Sequence, residues 1–224
     1  MCGIFGFITK NGRGPNIDRL KRIALETETR GRHAFGLAWV DQSWAIHTYK
    51  QAGPASANLE ALEACRDALA VIGHCRWATH GDPEDNCNNH PHPAGSGWIV
   101  HNGVVSNYRE LSRRYRLRPK SECDSEILGL MIARFPGEIG MRSAMAAEQA
   151  TAPLAMLGLW RKPVRLMIAR KGNPLCFGES KRGFYLASLP SGLPGTIKAI
   201  RNNYVGVLTF DGAELEYDAF SVTR

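Results

Sequence analysis

Cys2-Gly3-Ile4-Phe5-Gly6-Phe7-Ile8 is the stretch on which the fold turns. Ile4 to Ile8 is a short apolar strand that starts almost at the terminus, and Thr9, Lys10 and Asn11 end it. The residue in front of it is the unusual feature. Removal of Met1 before a small residue would leave Cys2 with a free α-amine, a base of pKa about 7.7–8.0 beside a thiol of about 8.5, with no histidine required. Taken alone, Cys2 is better read as a small apolar residue opening an edge strand, so the decision rests on blocks further along the chain.

Outward from that strand, Asn16 can cap a helix with apolar positions Ile17, Leu20, Ile23 and Ala24, stopped at Gly31. Phe35–Val40 and Trp44–Tyr49 read as a hairpin joined by Asp41-Gln42-Ser43. Ser56 can cap a second helix through Leu59, Leu62 and Leu69, and Val71–Trp77 reads as a buried strand. Ala78 to Gly97 is rich in Gly, Pro, Asn and His and reads as a long functional loop. Trp98–His101 is again a strand, Asn107 opens a charged helix, and Asp124 starts another that Pro136-Gly137 ends. From Pro153 onward the pattern is β: Leu154–Trp160, Val164–Ala169, Leu175–Gly178, Phe184–Ser188 and Tyr204–Phe210. Asp211-Gly212 turns into a last strand from Glu214 to Tyr217. Hairpins with grouped helices, in place of regular βα alternation, predict an α+β fold in which sheets pack on each other under helices.

Composition sets the frame. A chain of 224 residues, 44% hydrophobic and 22% charged, fits one globular domain spanning residues 1–224. No apolar run approaches the roughly 18 residues of a membrane span, and the N-terminus lacks the basic leader of a signal peptide. The six cysteines lie without CxxC pairs and read as reduced thiols, so a cytoplasmic location is expected. The net charge is +7, with Arg109, Arg113, Arg114, Arg116, Arg118 and Lys120 crowded together. That basic segment, 109–120, could touch nucleic acid, but only Tyr108 and Tyr115 interleave, and a solvated helix face is the preferred reading.

Three further blocks change the weight given to Cys2. Gly73-His74-Cys75-Arg76-Trp77-Ala78-Thr79-His80-Gly81 lies where a strand runs into a loop. His101-Asn102-Gly103-Val104-Val105-Ser106-Asn107-Tyr108 precedes a helix, and Ser121-Glu122-Cys123-Asp124-Ser125-Glu126 opens another. With Cys2-Gly3-Ile4 these resemble the class II glutamine amidotransferases, and most closely the glutaminase domain of glucosamine-6-phosphate synthase. There the blocks read Cys-Gly-Ile, Arg-Trp-Ala-Thr-His-Gly, His-Asn-Gly and Glu-Thr-Asp-Thr-Glu, in the same order. The resemblance runs from Cys2 to at least Gly178.

It implies a four-layer αββα sandwich of the N-terminal nucleophile hydrolase type, with Cys2 attacking the side-chain amide of L-glutamine. Free glutamine is a zwitterion, so its site needs a cation and an anion at fixed separation. Arg76 suits the carboxylate and Asp124 the ammonium. Asn102 and the Gly103 N–H suit the oxyanion, while Trp77, Thr79 and His80 would shape the pocket wall. No cofactor is implied. Singly, Arg76 could be a surface ion pair, Asp124 a helix cap and Asn102-Gly103 a turn; in the family order those alternatives lose.

Departures are also visible. The family's Arg-Gly-Tyr-Asp-Ser-x-Gly block stands here as Arg30-Gly31-Arg32-His33-Ala34-Phe35-Gly36, so Arg30 remains while His33 and Ala34 replace the Asp and Ser. Arg170-Lys171-Gly172-Asn173-Pro174-Leu175 keeps a later turn, but Ser188-Leu189 stands where Ser-Asp is expected. No acceptor domain follows Arg224, so a separate synthase partner is expected to take the ammonia. Rival readings are a stand-alone glutaminase, an amidase on another γ-glutamyl compound, a non-catalytic binding subunit, and a Cys–His pair in which His80 or His101 activates some cysteine other than Cys2. His74, Cys75, His80, Cys87, His90 and His92 crowd one region, yet their spacing fits no standard zinc pattern, and no metal is expected.

Overall fold

The first strand, β1 (Gly3–Thr9), is buried along its whole length. Its continuous apolar run has a simple cause: Ile4 and Ile8 join a core between two sheets, while Phe5 and Phe7 point the other way, under helix α1 (Ile17–Glu28). This computed structural model describes residues 1–212 and 215–221, the last seven by backbone pairing alone.

Among the described residues, one antiparallel sheet runs in the order β11 (Lys198–Ala199), β9 (Cys176–Glu179), β10 (Gly183–Ala187), β1, β4 (Ala70–Arg76), β2 (Ala34–Val40) and β3 (Ile46–Ala52). The other runs β13 (Leu215–Ser221), β12 (Tyr204–Phe210), β8 (Val164–Lys171), β7 (Leu154–Trp160), β6 (Gly97–Gly103) and β5 (His92–Ala94). Ile72, Leu186, Val100, Leu157 and Leu166 fill the space between them. Leu20 and Ile23 of α1 pack on Phe5 and Phe35 outside the first sheet. Outside the second, helices α3 (Glu126–Arg134) and α4 (Ile139–Gln149) set Ile127, Met131 and Ala146 against Ile99, Met156 and Met167. The layers are helix, sheet, sheet, helix: the αββα sandwich that the resemblance implies.

Asn16 caps α1 as expected, its Oδ1 accepting from Arg19 N at 2.8 Å. Ser56 caps nothing. Its N–H donates to Glu28 Oε2, and the segment forms 3-10 turns at Ala55–Ala57 and Leu59–Cys65, because Leu59, Leu62 and Cys65 recur every third residue and Leu69 falls outside them. Helix α4 was not expected; its buried Ile139, Ser143, Ala146 and Ala147 have helical spacing, but small residues make a weak apolar stripe. The long loop contains β5, held to β6 by His92 opposite Ile99. The Tyr204–Phe210 hairpin forms, with Phe210 opposite Leu215; the expected start at Glu214 lies outside the described residues.

The charged helix, α2 (Tyr108–Arg114), is short. Arg109, Arg113, Arg114, Arg116, Arg118 and Lys120 are exposed, and Arg109 and Arg114 lie over the rings of Tyr108 and Tyr115. They lie on an exposed face of the segment. No helix among the described residues is long and apolar enough to cross a membrane.

Candidate active site

Cys2 stands at the head of β1, in the middle of its sheet, where β10 and β4 flank it. Ser188 at the end of β10 fixes this point from both sides: its Oγ accepts from Ile4 N at 3.0 Å and its N–H donates to Ile4 O at 2.8 Å. Arg30, just past α1, donates through Nε to Cys2 O at 2.8 Å. The Cys2 thiol meets the backbone of Trp77, with Trp77 N at 3.3 Å and Trp77 O at 3.4 Å. Burial pushes the thiol up from its ordinary range, while the Trp77 N–H, the chain's terminal ammonium and the Arg76 guanidinium pull it down and Asp124 pushes it up. Arg76 and Asp124 are therefore both near enough to act on the nucleophile.

Arg76 ends β4 and is buried. Its guanidinium donates to Asn89 Oδ1 at 2.8 Å, to Gly81 O at 3.1 Å and to His80 O. Three of its five N–H donors hold the 80–89 loop, which leaves two for a ligand. Trp77 is 48% exposed. Thr79 is also exposed, with Oγ1 3.2 Å from His80 Nδ1. The half-buried His80 turns its ring edge-on to Tyr108 and brings Nδ1 to 3.7 Å from Asp124 Oδ1.

Asn102 and Gly103 close β6. Asn102 is buried, and its Nδ2 has no hydrogen-bond partner among the described residues. Asn173, from the later turn noted in sequence, donates to Asn102 O at 2.8 Å. Gly103 adopts φ +153°, and a Cβ there would stand 2.6 Å from Pro153 O, so only glycine fits. Asp124 is not the cap of α3; Ser125 holds that position. Its buried carboxylate instead accepts from Val105 N at 2.5 Å, tying the third block to the backbone just past Gly103.

Sequence reasoning missed His33. It replaces a family residue, and the structure gives it work: its ring stacks on Trp77 at 4.6 Å and its Nδ1 accepts from Ala78 N at 3.0 Å. It thus braces the segment that touches the Cys2 thiol. Asn89, which takes the Arg76 guanidinium, was also missed. Neither has a spacing signal, since both act across the fold.

The expected crowd of histidines and cysteines partly disperses. Cys75 faces α1, its thiol 3.7 Å from Ala24 O, and Cys87 is exposed. His74, His90 and His92 stay together in the interior, with rings 3.8 Å and 4.6 Å apart along the series. Burial pushes His74 down to about 3 and His101 down to about 4, and holds His90 and His92 well below the ordinary imidazole range. These rings are neutral at physiological pH. His101 pairs through Nδ1 with Ser125 Oγ at 2.8 Å, and the hydrogen-bond partners of Cys2 Sγ among the described residues are both on Trp77. The structure thus shows no Cys2–His pair. An apolar groove of about 660 Å³ lies elsewhere, lined by Ile168, Phe177, Phe184, Ile200 and Tyr204, and holds none of these residues.

No family model matches the chain. It is 34% identical over 198 residues to the glutamine–fructose-6-phosphate aminotransferase (isomerizing) of Bradyrhizobium diazoefficiens, covering 84% of this chain and 31% of that protein. The same-named protein of Sulfurisphaera tokodaii is 32% identical over 237 residues, covering 96% and 38%. The chain thus spans about a third of the length of these curated relatives. Among solved structures, the glutamine phosphoribosylpyrophosphate (PRPP) amidotransferase of B. subtilis superposes with a TM-score of 0.81 at 18% identity, over 99% of this chain and 49% of that one. A glutamine aminotransferase class-II domain protein from Silicibacter pomeroyi gives 0.63 at 16% identity, covering 98% and 100%. The fold agrees with the structures and the sequence with the aminotransferases; the chain belongs to the class II glutamine amidotransferases, with the N-terminal nucleophile architecture.

Proposed function

We propose that this chain hydrolyses L-glutamine to glutamate and ammonia through a γ-glutamyl thioester on Cys2, once Met1 is removed. The observation that carries the reading is the placement of the Cys2 thiol on the Trp77 backbone, within electrostatic reach of both Arg76 and Asp124. Those two charges suit the two ends of a zwitterionic amino acid, with the remaining Arg76 donors taking the carboxylate and Asp124 the ammonium. The freed α-amine takes the thiol proton as sulfur attacks the amide carbon, and the Asn102 amide and Gly103 N–H hold the oxyanion. The amine then returns the proton to the departing ammonia, and water cleaves the thioester. Arg30, bonded to Cys2 O, keeps the terminus pointed at the site.

The names of the relatives couple glutamine to an acceptor, fructose-6-phosphate or PRPP. By that likeness the ammonia passes to an acceptor bound by a synthase unit, with residues 1–224 acting as the glutaminase unit. The cytoplasm suits a chain whose six cysteines are all free. The test is ammonia release from glutamine by protein beginning at Cys2, compared with Cys2→Ala. Loss of activity with an unchanged melting curve is expected. Full activity in the variant would overturn the proposal.

A further inference from the structure

His90, His92 and Cys123 each offer a ligand atom, and these atoms lie within 4.8 Å of one another. All three residues are more than nine-tenths buried, at 3%, 1% and 5% exposure. A neutral imidazole has one donor and one acceptor to satisfy. Among the described residues, neither ring nitrogen of His90 has a hydrogen-bond partner, nor does Nε2 of His92. Buried polar groups are ordinarily paired, and three of the eight unpaired buried side-chain atoms among the described residues gather at this one point.

We infer that His90, His92 and Cys123 form a binding site for one borderline-soft divalent cation, zinc first. The donor set decides the class: imidazole nitrogen and thiolate sulfur suit zinc and its softer neighbours, whereas calcium and magnesium demand oxygen. The frame is rigid. A Cβ on Gly36 would stand 1.9 Å from His90 O, and one on Gly129 would stand 2.2 Å from Pro93 O, so β2 and α3 press directly on the segment that carries both histidines. Ligands of a tetrahedral zinc lie about 3.4–3.6 Å apart, given bond lengths of about 2.0–2.1 Å to nitrogen and 2.3 Å to sulfur. Small side-chain rotations close the difference. On binding, the Cys123 thiol gives its proton to solvent and the sulfur donates a lone pair to the ion; water takes the fourth position. The ion ties β5 to the turn that carries Asp124, one residue along from its sulfur ligand.

Chelator-treated full-length protein titrated with Zn²⁺ in a calorimeter should bind one equivalent. With Co²⁺ as the probe, the complex should show a thiolate-to-metal charge-transfer band. Cys123→Ser should lose that band, and His92→Gln should weaken zinc by more than the roughly 10–100-fold that outer-sphere partners carry. Cys2→Ala and Cys87→Ser should keep it, which separates this site from the nucleophile and from the exposed thiol. X-ray absorption on zinc-loaded wild-type protein should report one sulfur and two imidazole ligands, and it decides the matter even if Cys123→Ser does not fold. Absence of binding, a band that survives Cys123→Ser, or a zinc shell without sulfur each overturns the inference.

Discussion

His80 joins the two charges of the candidate glutamine site: its backbone carbonyl accepts from the Arg76 guanidinium, and its Nδ1 stands 3.7 Å from Asp124 Oδ1. One residue therefore sets the distance between a cation and an anion contributed by different sheets' loops. Under the proposed function, the carboxylate and ammonium of one amino acid would meet these two charges.

Asp124→Asn keeps an oxygen for the Val105 N–H and removes only the charge. Hydrogen bonds to charged groups contribute about 1.5–3 kcal/mol, so KM for glutamine should rise by roughly 10–150-fold with the fold intact. Asn102→Ala should act differently, lowering kcat by about 10²–10³ if its Nδ2 serves the oxyanion. Steady-state kinetics of both variants checks the division; an identical pure KM effect in the two would refute it.

The chain with Met1 attached has an amide at Cys2, and an amide nitrogen has no usable lone pair for proton transfer. Protein that retains Met1, or an N-terminal tag, should release no ammonia although the pocket is otherwise unchanged. Cleavage that leaves Cys2 first, confirmed by mass spectrometry, should restore activity, and a C-terminal tag should be harmless. Equal activity before and after cleavage would point to a side-chain base.

His33→Ala removes an acceptor for Ala78 N and a ring from Trp77. With about 1 kcal/mol for the hydrogen bond and roughly 0.5–1.5 for the ring pair, kcat/KM should fall roughly 10–60-fold. His33→Asn, which returns an acceptor without the ring, should recover part of the loss. A variant indistinguishable from wild type would show that the brace on Trp77 is idle.

The buried imidazoles make the metal-free protein acid-labile. His74 titrates near 3 and His101 near 4 in the folded state, with His90 and His92 also depressed, whereas unfolded histidine titrates at about 6.5. Below that value the unfolded chain binds protons that the folded one refuses, so stability is present at neutral pH and is lost as pH falls from 6.5 toward 4. All four groups act in the same direction, so the loss on acidification should be pronounced. Denaturant midpoints should drop steeply from pH 7 to pH 5; a flat profile would contradict the neutral, buried assignment.

How much of this was legible in the sequence differs element by element. β1, β4, β7 and β12 declare themselves because long apolar runs of branched and aromatic residues allow one reading. Helix α4 did not, since Ala146 and Ala147 carry little hydrophobic contrast with their neighbours. Cys2, Arg76, Asn102, Gly103 and Asp124 were singled out because four short blocks stand in a known order. His33 stacked on Trp77, and Cys123 beside His90 and His92, could not be found that way. Their partners lie dozens of residues off, and no periodicity records a contact made by folding. Asp124 shows the same limit: its position before a helix is a local signal, while its use at Val105 N is not.

The clasp between Ile4 and Ser188 joins residues 184 apart, and β1 has β10 as one of its two neighbours. A ribosome adding about 5–20 residues per second needs roughly 10–40 s to make that span. Through all that time β1 has β4 as a possible neighbour in its sheet but not β10. The sheet around the Cys2 thiol is therefore one of the last parts of the fold to be completed during synthesis.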